Sequence, residues 1–127
     1  MSDVDIPGLL QRYADYISAG DKEGILSLYA PDATCEIPVG GPVHRGIDAI
    51  RKFYTTNELA QQVRIVGACC VAGREAAVPM RARISRDGQV MELDVIDVVE
   101  VDAQGRFKKL RAFFDLAGAR AASGDVL

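Results

Sequence analysis

The sequence is poor in the residues from which metal sites and disulfide frameworks are built. It has no tryptophan, one histidine and three cysteines among 127 residues. No His-Glu-x-x-His or Cys-x-x-Cys spacing occurs, and Cys69 and Cys70 are adjacent in an odd set, so we expect small buried thiols. A phosphate-binding glycine loop and a Gly-x-Ser-x-Gly motif are also missing. These absences disfavour a metal site above all.

Long apolar runs and a strong charge of one sign are also missing. Nowhere do about 18 apolar residues follow one another, and the N-terminus has neither a basic region nor a long apolar segment. The net charge of -3 argues against a nucleic-acid or anionic-membrane surface. We therefore expect a cytoplasmic protein that binds a small neutral or apolar ligand, with no nucleic acid or membrane as partner.

The length and the order of hydrophobic patterns predict one α+β domain that spans residues 1–127. Helical spacing indicates a helix over about 6–19, a second short helix from Asp21 through Tyr29, and a third around 47–54, with a strand "TCEIPV" before the third. From about Val63 the period changes to two, which predicts four strands: "VRIVGACCVA", "AAVPMRARIS", "QVMELDVIDVVEV" and "RFKKLRAFFDL". We expect the mostly antiparallel sheet to curl around three N-terminal helices as a cone with an open mouth.

One of these strands carries an unexpected carboxyl group. Side chains alternate between the two faces of a strand, so Asp97 shares a face with apolar side chains only: Leu93, Val95, Val99 and Val101. A carboxylate buried there must be paired, hydrogen-bonded or kept protonated by a raised pKa. Asp97 is therefore the first candidate for chemistry.

Three tyrosines lie on or beside the apolar faces of the predicted elements. They are Tyr13, Tyr29 and Tyr54. One buried tyrosine is usually a large apolar side chain whose hydroxyl has found a partner. Three of them, together with a carboxyl group that favours its neutral form, predict a different role, because a phenol and a protonated carboxyl can both donate to one oxygen. The set predicts an oxyanion hole made of side chains.

The sequence resembles the bacterial ketosteroid isomerases, also called steroid delta-isomerases, of the NTF2-like, SnoaL-like superfamily. The resemblance runs through "GLLQRYADYISAGD", "LYAPDATCEIPVGGP", "IRKFY" and above all "LDVIDVVEVDAQGR". It implies the cone fold and an enzyme, without a cofactor, that moves a C=C bond into conjugation with a ketone through a dienolate. It also implies that Tyr13 and Asp97 form the oxyanion hole and that Tyr29 and Tyr54 hydrogen-bond behind Tyr13.

The resemblance fails at the position of the general base. The family places an aspartate immediately before the proline of the first strand, and this sequence has Ile37 there. Glu36 is the adjacent substitute, although alternation places it on the opposite face unless the strand has a bulge. His44 and Asp94 are the other substitutes that the sequence offers. We expect the ligand-binding wall to include Val39, Phe53, Val99 and Phe114.

Three functions are compatible with these residues. The first is a ketosteroid isomerase with an impaired or relocated base. The second is a protein that binds a steroid, phenol or enone without isomerising it, or that uses the pocket for hydration, dehydration or epoxide opening. The third is a structural dimer module in which Asp97 and the tyrosines satisfy one another. By fold analogy we expect a homodimer formed through the sheet, with Phe113 or Phe114 available.

Overall fold

The computed structural model describes residues 4–122 and contains three α-helices in that range. They are α1 (Ile6–Ala19), α2 (Lys22–Ser27) and α3 (Ile47–Thr56). Helix α1 begins after Asp5, whose side chain accepts a hydrogen bond from the Gly8 amide, and ends at Gly20, which adopts the left-handed conformation with φ of 68°. The helices confirm the three that the hydrophobic spacing predicts. None of the helices within residues 4–122 is long and apolar enough to cross a membrane.

The described strands form one curved, mixed sheet. The strands are β1 (Tyr29–Glu36), β2 (Val43–Arg45), β3 (Gln62–Ile65), β4 (Cys70–Ala72), β5 (Glu75–Arg86), β6 (Gln89–Val101), β7 (Phe107–Phe113) and β8 (Arg120–Ala121). The main path is β2-β1-β7-β6-β5-β3, with β4 on β5 and β8 on β6. Only β1 and β7 pair in parallel among these strands. The α+β cone with a mostly antiparallel sheet is confirmed.

The start of the first strand was predicted wrongly. Tyr29 lies in β1 and not in α2, which ends at Ser27, and the strand runs through "APDA", whose composition predicts a turn. Tyr29 pairs with Phe107 of β7, and the register then shifts before Thr34. This irregularity accommodates Pro31, which has no amide proton to give to a ladder. Pairing with β7, which local pattern does not reveal, thus extends the strand.

The segment predicted as one strand from Val63 to Ala72 is two strands. Both β3 and β4 pair with β5, on either side of Pro79. Between them Gly67 lies so close to Pro79 that a Cβ atom there would approach its Cγ to 2.8 Å. The short strands β2 and β8 were not predicted, because two or three residues are too few to establish a period.

The sequences "SRDGQ" and "DAQGR" are typical of turns, and both form turns between the last three long strands. The β5–β6 hairpin turns at Asp87 and Gly88, both with positive φ (51° and 78°), as a two-residue hairpin turn requires. At the other turn the Asp102 side chain accepts hydrogen bonds from two backbone amides, those of Gln104 and Arg106. Both turns fix the register of β6, and with it the face on which Asp97 lies.

The core lies between the concave face of the sheet and the helices. Its largest fully buried side chains include Leu10 of α1, Tyr54 of α3, and Val99 and Phe107 of the sheet. Burial of such apolar surface is the main stabilising contribution to folding. Because the sheet is curved and unclosed, the concave face is not fully covered, and a cavity lies between the sheet and the end of α3.

Candidate active site

The cavity has a volume of about 340 Å³ and a largely apolar wall. Strands β5 and β6 form one side of it, α1 and α3 a second, and the segment after α3 a third. Few of its lining side chains carry polar groups, and these are Tyr13, Tyr54, Asn57, Glu58 and Asp97. A pocket with an apolar wall and a few converging polar groups is the usual form of a small-molecule site.

Asp97 lies on the cavity wall with only 3 % of its surface exposed. Its neighbours across the ladder are Val78 on β5 and Ala112 on β7, whose side chains cannot donate a hydrogen bond. No hydrogen bond or ion pair to its carboxyl group occurs among residues 4–122. Loss of hydration on burial raises the pKa of Asp97 from 3.8 to about 7. The group is therefore a proton donor at and below neutral pH.

Three tyrosines form a buried hydrogen-bonded chain beside this carboxyl group. The hydroxyl oxygens of Tyr13 and Tyr54 are 2.8 Å apart, and those of Tyr54 and Tyr29 are 2.7 Å apart. Helix α1 supplies Tyr13, α3 supplies Tyr54 and β1 supplies Tyr29. Tyr29 lies behind Tyr54 and does not line the cavity, so Tyr54 is the centre of the chain. Beyond Tyr29, the sulfur of Cys35 lies 3.5 Å from the Tyr29 hydroxyl.

All three phenols keep their protons over the ordinary pH range. Burial raises the pKa of each of Tyr13, Tyr29 and Tyr54 well above its usual value, and the charge of Asp97 adds to this effect at Tyr13. Each hydroxyl has one proton. The Tyr29 hydroxyl can donate either to the Cys35 sulfur or to Tyr54. When it donates to Tyr54 and Tyr54 donates to Tyr13, the Tyr13 proton is left for a ligand in the cavity. The three tyrosines and Asp97 can thus present one phenolic donor and one carboxylic donor to the cavity.

Ile37 follows β1 and lines the cavity, so an apolar side chain stands at the position that the family reserves for its base. Glu36 does not line it. Its carboxylate accepts hydrogen bonds from the Gly40 amide at 3.0 Å and from Nε of Arg111 at 3.1 Å. The Gly40 amide, and after it Arg111, lowers the pKa of Glu36. The structure therefore places Glu36 in a salt bridge outside the cavity.

The other two substitutes also lie outside the cavity wall. His44 on β2 packs its ring against Phe53, with the centroids 4.7 Å apart. Asp94 projects from the opposite face of β6 and binds Arg120 and Arg81, whose hydrogen bonds lower its pKa. Neither group reaches the space into which Asp97 points.

The predicted binding wall is placed only in part as expected. Phe53 and Phe114 line the cavity. Val99 is packed into the core at 1 % exposure, and Val39 lies off the wall with its amide donating to the Ala112 carbonyl at 2.8 Å. Sharing a face of β6 with Asp97 therefore does not bring Val99 to the cavity, because that end of the strand is packed into the hydrophobic core.

The sequence reasoning missed the segment just after α3. Asn57, Glu58, Leu59 and Ala60 all line the cavity. The available signal was topological: a helix that carries Tyr54 towards the site must be followed by a chain that crosses near the mouth to reach β3. This segment brings a second carboxyl group, that of Glu58, to the cavity.

No group of three or more His, Cys, Asp or Glu side chains within residues 4–122 is arranged to hold a metal ion. The described groups on the cavity wall can donate two hydrogen bonds, or a proton, to an oxygen atom held in the cavity, and Glu58 adds a second carboxyl group.

Known proteins resemble the chain over most of its length. A family model of the SnoaL-like domain matches residues 10–110. The steroid Delta-isomerase of Nocardioides simplex is 35% identical over 112 residues, which cover 87% of this chain and 90% of that protein. The epoxide hydrolase LasB of Streptomyces lasalocidi is 29% identical over 130 aligned residues, 84% of this chain and 46% of LasB, so the chain spans about half of that relative.

A solved structure shares the same fold. It is that of the epoxide hydrolase/cyclase-like enzyme SalBIII, which has a role in pyran ring formation in the polyether salinomycin. The TM-score is 0.82 at 21% identity, with 92% of this chain and 95% of that chain covered. The family match over residues 10–110 and the similarity to the steroid Delta-isomerase show that the chain belongs to the SnoaL-like family of NTF2-like proteins.

Proposed function

We propose that the protein is a steroid delta-isomerase-like enzyme, which moves a C=C bond of an apolar ketone into conjugation with its carbonyl group. The observation that carries the proposal is the buried Asp97 carboxyl group, which has no hydrogen-bond partner among residues 4–122 and lies with Tyr13 on the wall of an apolar cavity; burial raises its pKa to about 7. The similarity to a steroid Delta-isomerase over 87% of the chain supports it.

The reaction needs stabilisation of the negative charge that develops on the ketone oxygen. Tyr13 and protonated Asp97 would each donate a hydrogen bond to that oxygen. Fixed donors in a cavity from which water is excluded stabilise such a charge far better than water does, because they need no reorganisation as the charge forms. The row of hydrogen-bonded tyrosines would strengthen the Tyr13 donor in the arrangement in which Tyr54 donates to the oxygen of Tyr13.

The wall of the cavity supports an apolar ligand with one polar end. A volume of about 340 Å³ lies in the range of ordinary small-molecule pockets. Ile37, Phe53, Val95 and Phe114 offer apolar contacts, and few of the other lining side chains can donate a hydrogen bond. A steroid ketone, or a phenol that mimics its dienolate, has the matching form: a large apolar body with one oxygen at its end.

A second candidate function is epoxide opening, and the observation that favours it is Ile37. A cavity without a carboxylate at that position keeps its acid but not the base that removes a proton from carbon. Asp97 can protonate an epoxide oxygen as its C–O bond breaks, while water or a hydroxyl group of the same ligand attacks the carbon and releases a proton. The similarity to LasB and to SalBIII is in line with this reading. Hydration, dehydration and binding without turnover use the same donors.

The quaternary structure and location belong to the same proposal. Ile96 and Phe113 face each other on neighbouring strands of the outer sheet face and are 48 % and 40 % exposed, which supports a homodimer through this face. All three cysteines are free thiols, which supports a reducing, cytoplasmic location. We also take residues 1–127 as one domain.

The experiment is a titration with equilenin, a phenolic steroid, together with isomerisation of 5-androstene-3,17-dione, for the wild type and Tyr13→Phe. Tyr16→Phe is the matched control, since it removes a phenol from the same helix outside the cavity wall. We expect binding and turnover that depend on Tyr13 and not on Tyr16. Binding without isomerisation, combined with turnover of an epoxide, would favour the second candidate. Absence of both binding and turnover would refute the steroid site.

A further inference from the structure

The carboxyl groups on the cavity wall are those of Asp97 and Glu58, within the described part of the chain. Asp97 already has the role of hydrogen-bond donor in the proposed function, so it is not available as the base. Glu58 is exposed and accepts no hydrogen bond and forms no ion pair with any residue from 4 to 122. We infer that Glu58 is the general base that replaces the aspartate missing at position 37. This inference rests on the proposed isomerase function.

The end of α3 fixes where Glu58 stands. The Asn57 amide donates to the Phe53 carbonyl at 3.1 Å, and the Asn57 side chain donates to the same carbonyl at 2.8 Å. These bonds close the last turn of the helix that carries Tyr54. Glu58 is the next residue, so the helix that holds the tyrosine chain also sets the position of the base.

The position of Glu58 at the rim of the cavity suits this role. It borders both the main cavity and a smaller cavity of about 210 Å³, which Gln61 and Arg86 also line. Glu58 is in contact with solvent at the rim, whereas Asp97 is buried deeper in the same cavity.

The other carboxylates near the site are committed elsewhere. Glu36 is bound by Arg111 and the Gly40 amide, and Asp94 is bound by Arg81 and Arg120 on the outer face. Using either as a base would require breaking an ion pair and moving a side chain across the sheet. Glu58 already lines the cavity and has no such partner among residues 4–122.

The proposed step is balanced without a co-reactant. The Glu58 carboxylate removes a proton from the carbon between the ketone and the C=C bond of the substrate, and the electron pair of that C–H bond moves into the dienolate. The negative charge on oxygen is held by the donors Tyr13 and Asp97. Glu58, now protonated, returns the proton to the far carbon of the dienolate, which yields the conjugated ketone and regenerates the carboxylate.

This arrangement also sets the orientation of the substrate. The ketone oxygen lies deep in the cavity against Tyr13 and Asp97, and one edge of the reacting ring faces the rim where Glu58 stands. Substituents that widen that edge should slow proton transfer more than they weaken binding, because binding depends on the donors and the apolar wall.

The test is steady-state isomerisation of 5-androstene-3,17-dione by Glu58→Gln, beside equilenin titration of the same variant. Proton transfer by a positioned group contributes about 10² to 10⁴-fold, so we expect kcat to fall by about that factor. Equilenin affinity should stay within about twofold of the wild type, since the oxyanion hole is intact. The matched control, Glu75→Gln, removes an exposed carboxylate of β5 that does not line the cavity, and should leave both values unchanged.

A rescue variant separates a base from a structural role. Adding Ile37→Asp to Glu58→Gln should raise kcat at least tenfold above that of Glu58→Gln alone, because the new aspartate places a carboxylate on the cavity wall. Unchanged kcat in Glu58→Gln would overturn the inference. So would equilenin binding by a wild type that does not isomerise the steroid. If the wild type neither binds equilenin nor isomerises, the proposed function fails as well.

Discussion

The two faces of strand β6 each carry an aspartate, and the surroundings of the two side chains shift their pKa values in opposite directions. Asp94 and Asp97 are three residues apart. Asp94, on the outer face, is exposed and bound by Arg120 and Arg81, whose hydrogen bonds lower its pKa. Asp97, on the inner face, has no partner among residues 4–122, and burial raises its pKa to about 7. At neutral pH one is a charged surface group and the other an acid.

The difference shows what distinguishes a site from a surface in this fold. A carboxylate on the outer face finds cations and solvent, and its contribution is a modest ion pair. A carboxyl group on the inner face meets Val78, Ala112 and an open cavity, so its hydrogen-bonding capacity is left for a ligand. Burial without a partner lowers stability, and it is tolerated where the group acts on something the chain does not contain.

The largest expected effect is on how the free energy of unfolding depends on pH. Below about pH 4 the Asp97 carboxyl is protonated in both the folded and the unfolded chain. As pH rises through 4 to 7 the unfolded chain loses this proton while the folded one keeps it, so stability is lost. The difference between 3.8 and about 7 corresponds to about 4 kcal/mol.

Asp97→Asn cannot ionise and should lack this loss. We expect its free energy of unfolding, measured by urea titration at pH 4 and pH 8, to gain about 4 kcal/mol relative to the wild type between these two values. A gain below about 1 kcal/mol would mean that the folded protein stabilises the charged carboxylate.

The next effect is on turnover. Removing one oxyanion-hole donor typically costs about 10² to 10³ in kcat. We expect Asp97→Ala to lose that factor in steroid isomerisation, and Asp94→Ala, its control from the other face of β6, to stay within about twofold. Equal losses of kcat in both variants would contradict the proposal that Asp97, and not Asp94, acts on the substrate.

A smaller effect should appear in assembly. A charge placed on the outer face at Ile96→Lys should weaken the proposed dimer about tenfold or more, because Ile96 and Phe113 would lose apolar contact. Sedimentation measures this, and equilenin titration checks that the inner face is unaffected. Val43→Lys, at an equally exposed position on β2, is the control. A wild type that is monomeric at all concentrations would contradict the dimer.

The smallest effect concerns the outer ion pairs. Asp94→Asn removes the charge that Arg81 and Arg120 share, and exposed pairs contribute about 0 to 1 kcal/mol. We expect a loss of stability within that range at pH 7, reduced further by 1 M salt, as measured by thermal unfolding. A loss above about 2 kcal/mol would mean that this ion-pair cluster contributes as much to the free energy of unfolding as a buried core side chain does.

Much of the site was accessible from periodicity. Strict alternation along β6 placed Asp97 on an apolar face, and helical spacing placed Tyr13 and Tyr54 on the apolar sides of α1 and α3. These patterns are local, because a side chain's face depends only on the geometry of its own strand or helix. The same logic failed at Tyr29, whose strand exists through pairing with β7 far along the chain.

The sequence by itself determined which face each group lies on, and thereby that a carboxyl group and phenols are buried. Only the tertiary structure decided what they meet there. It placed Tyr54 between Tyr13 and Tyr29, left Asp97 without a donor among residues 4–122, and brought Glu58 to the cavity rim. The physical reason is that faces follow from local geometry, whereas partners, desolvation and pKa depend on segments that are distant in sequence and meet only in the folded chain.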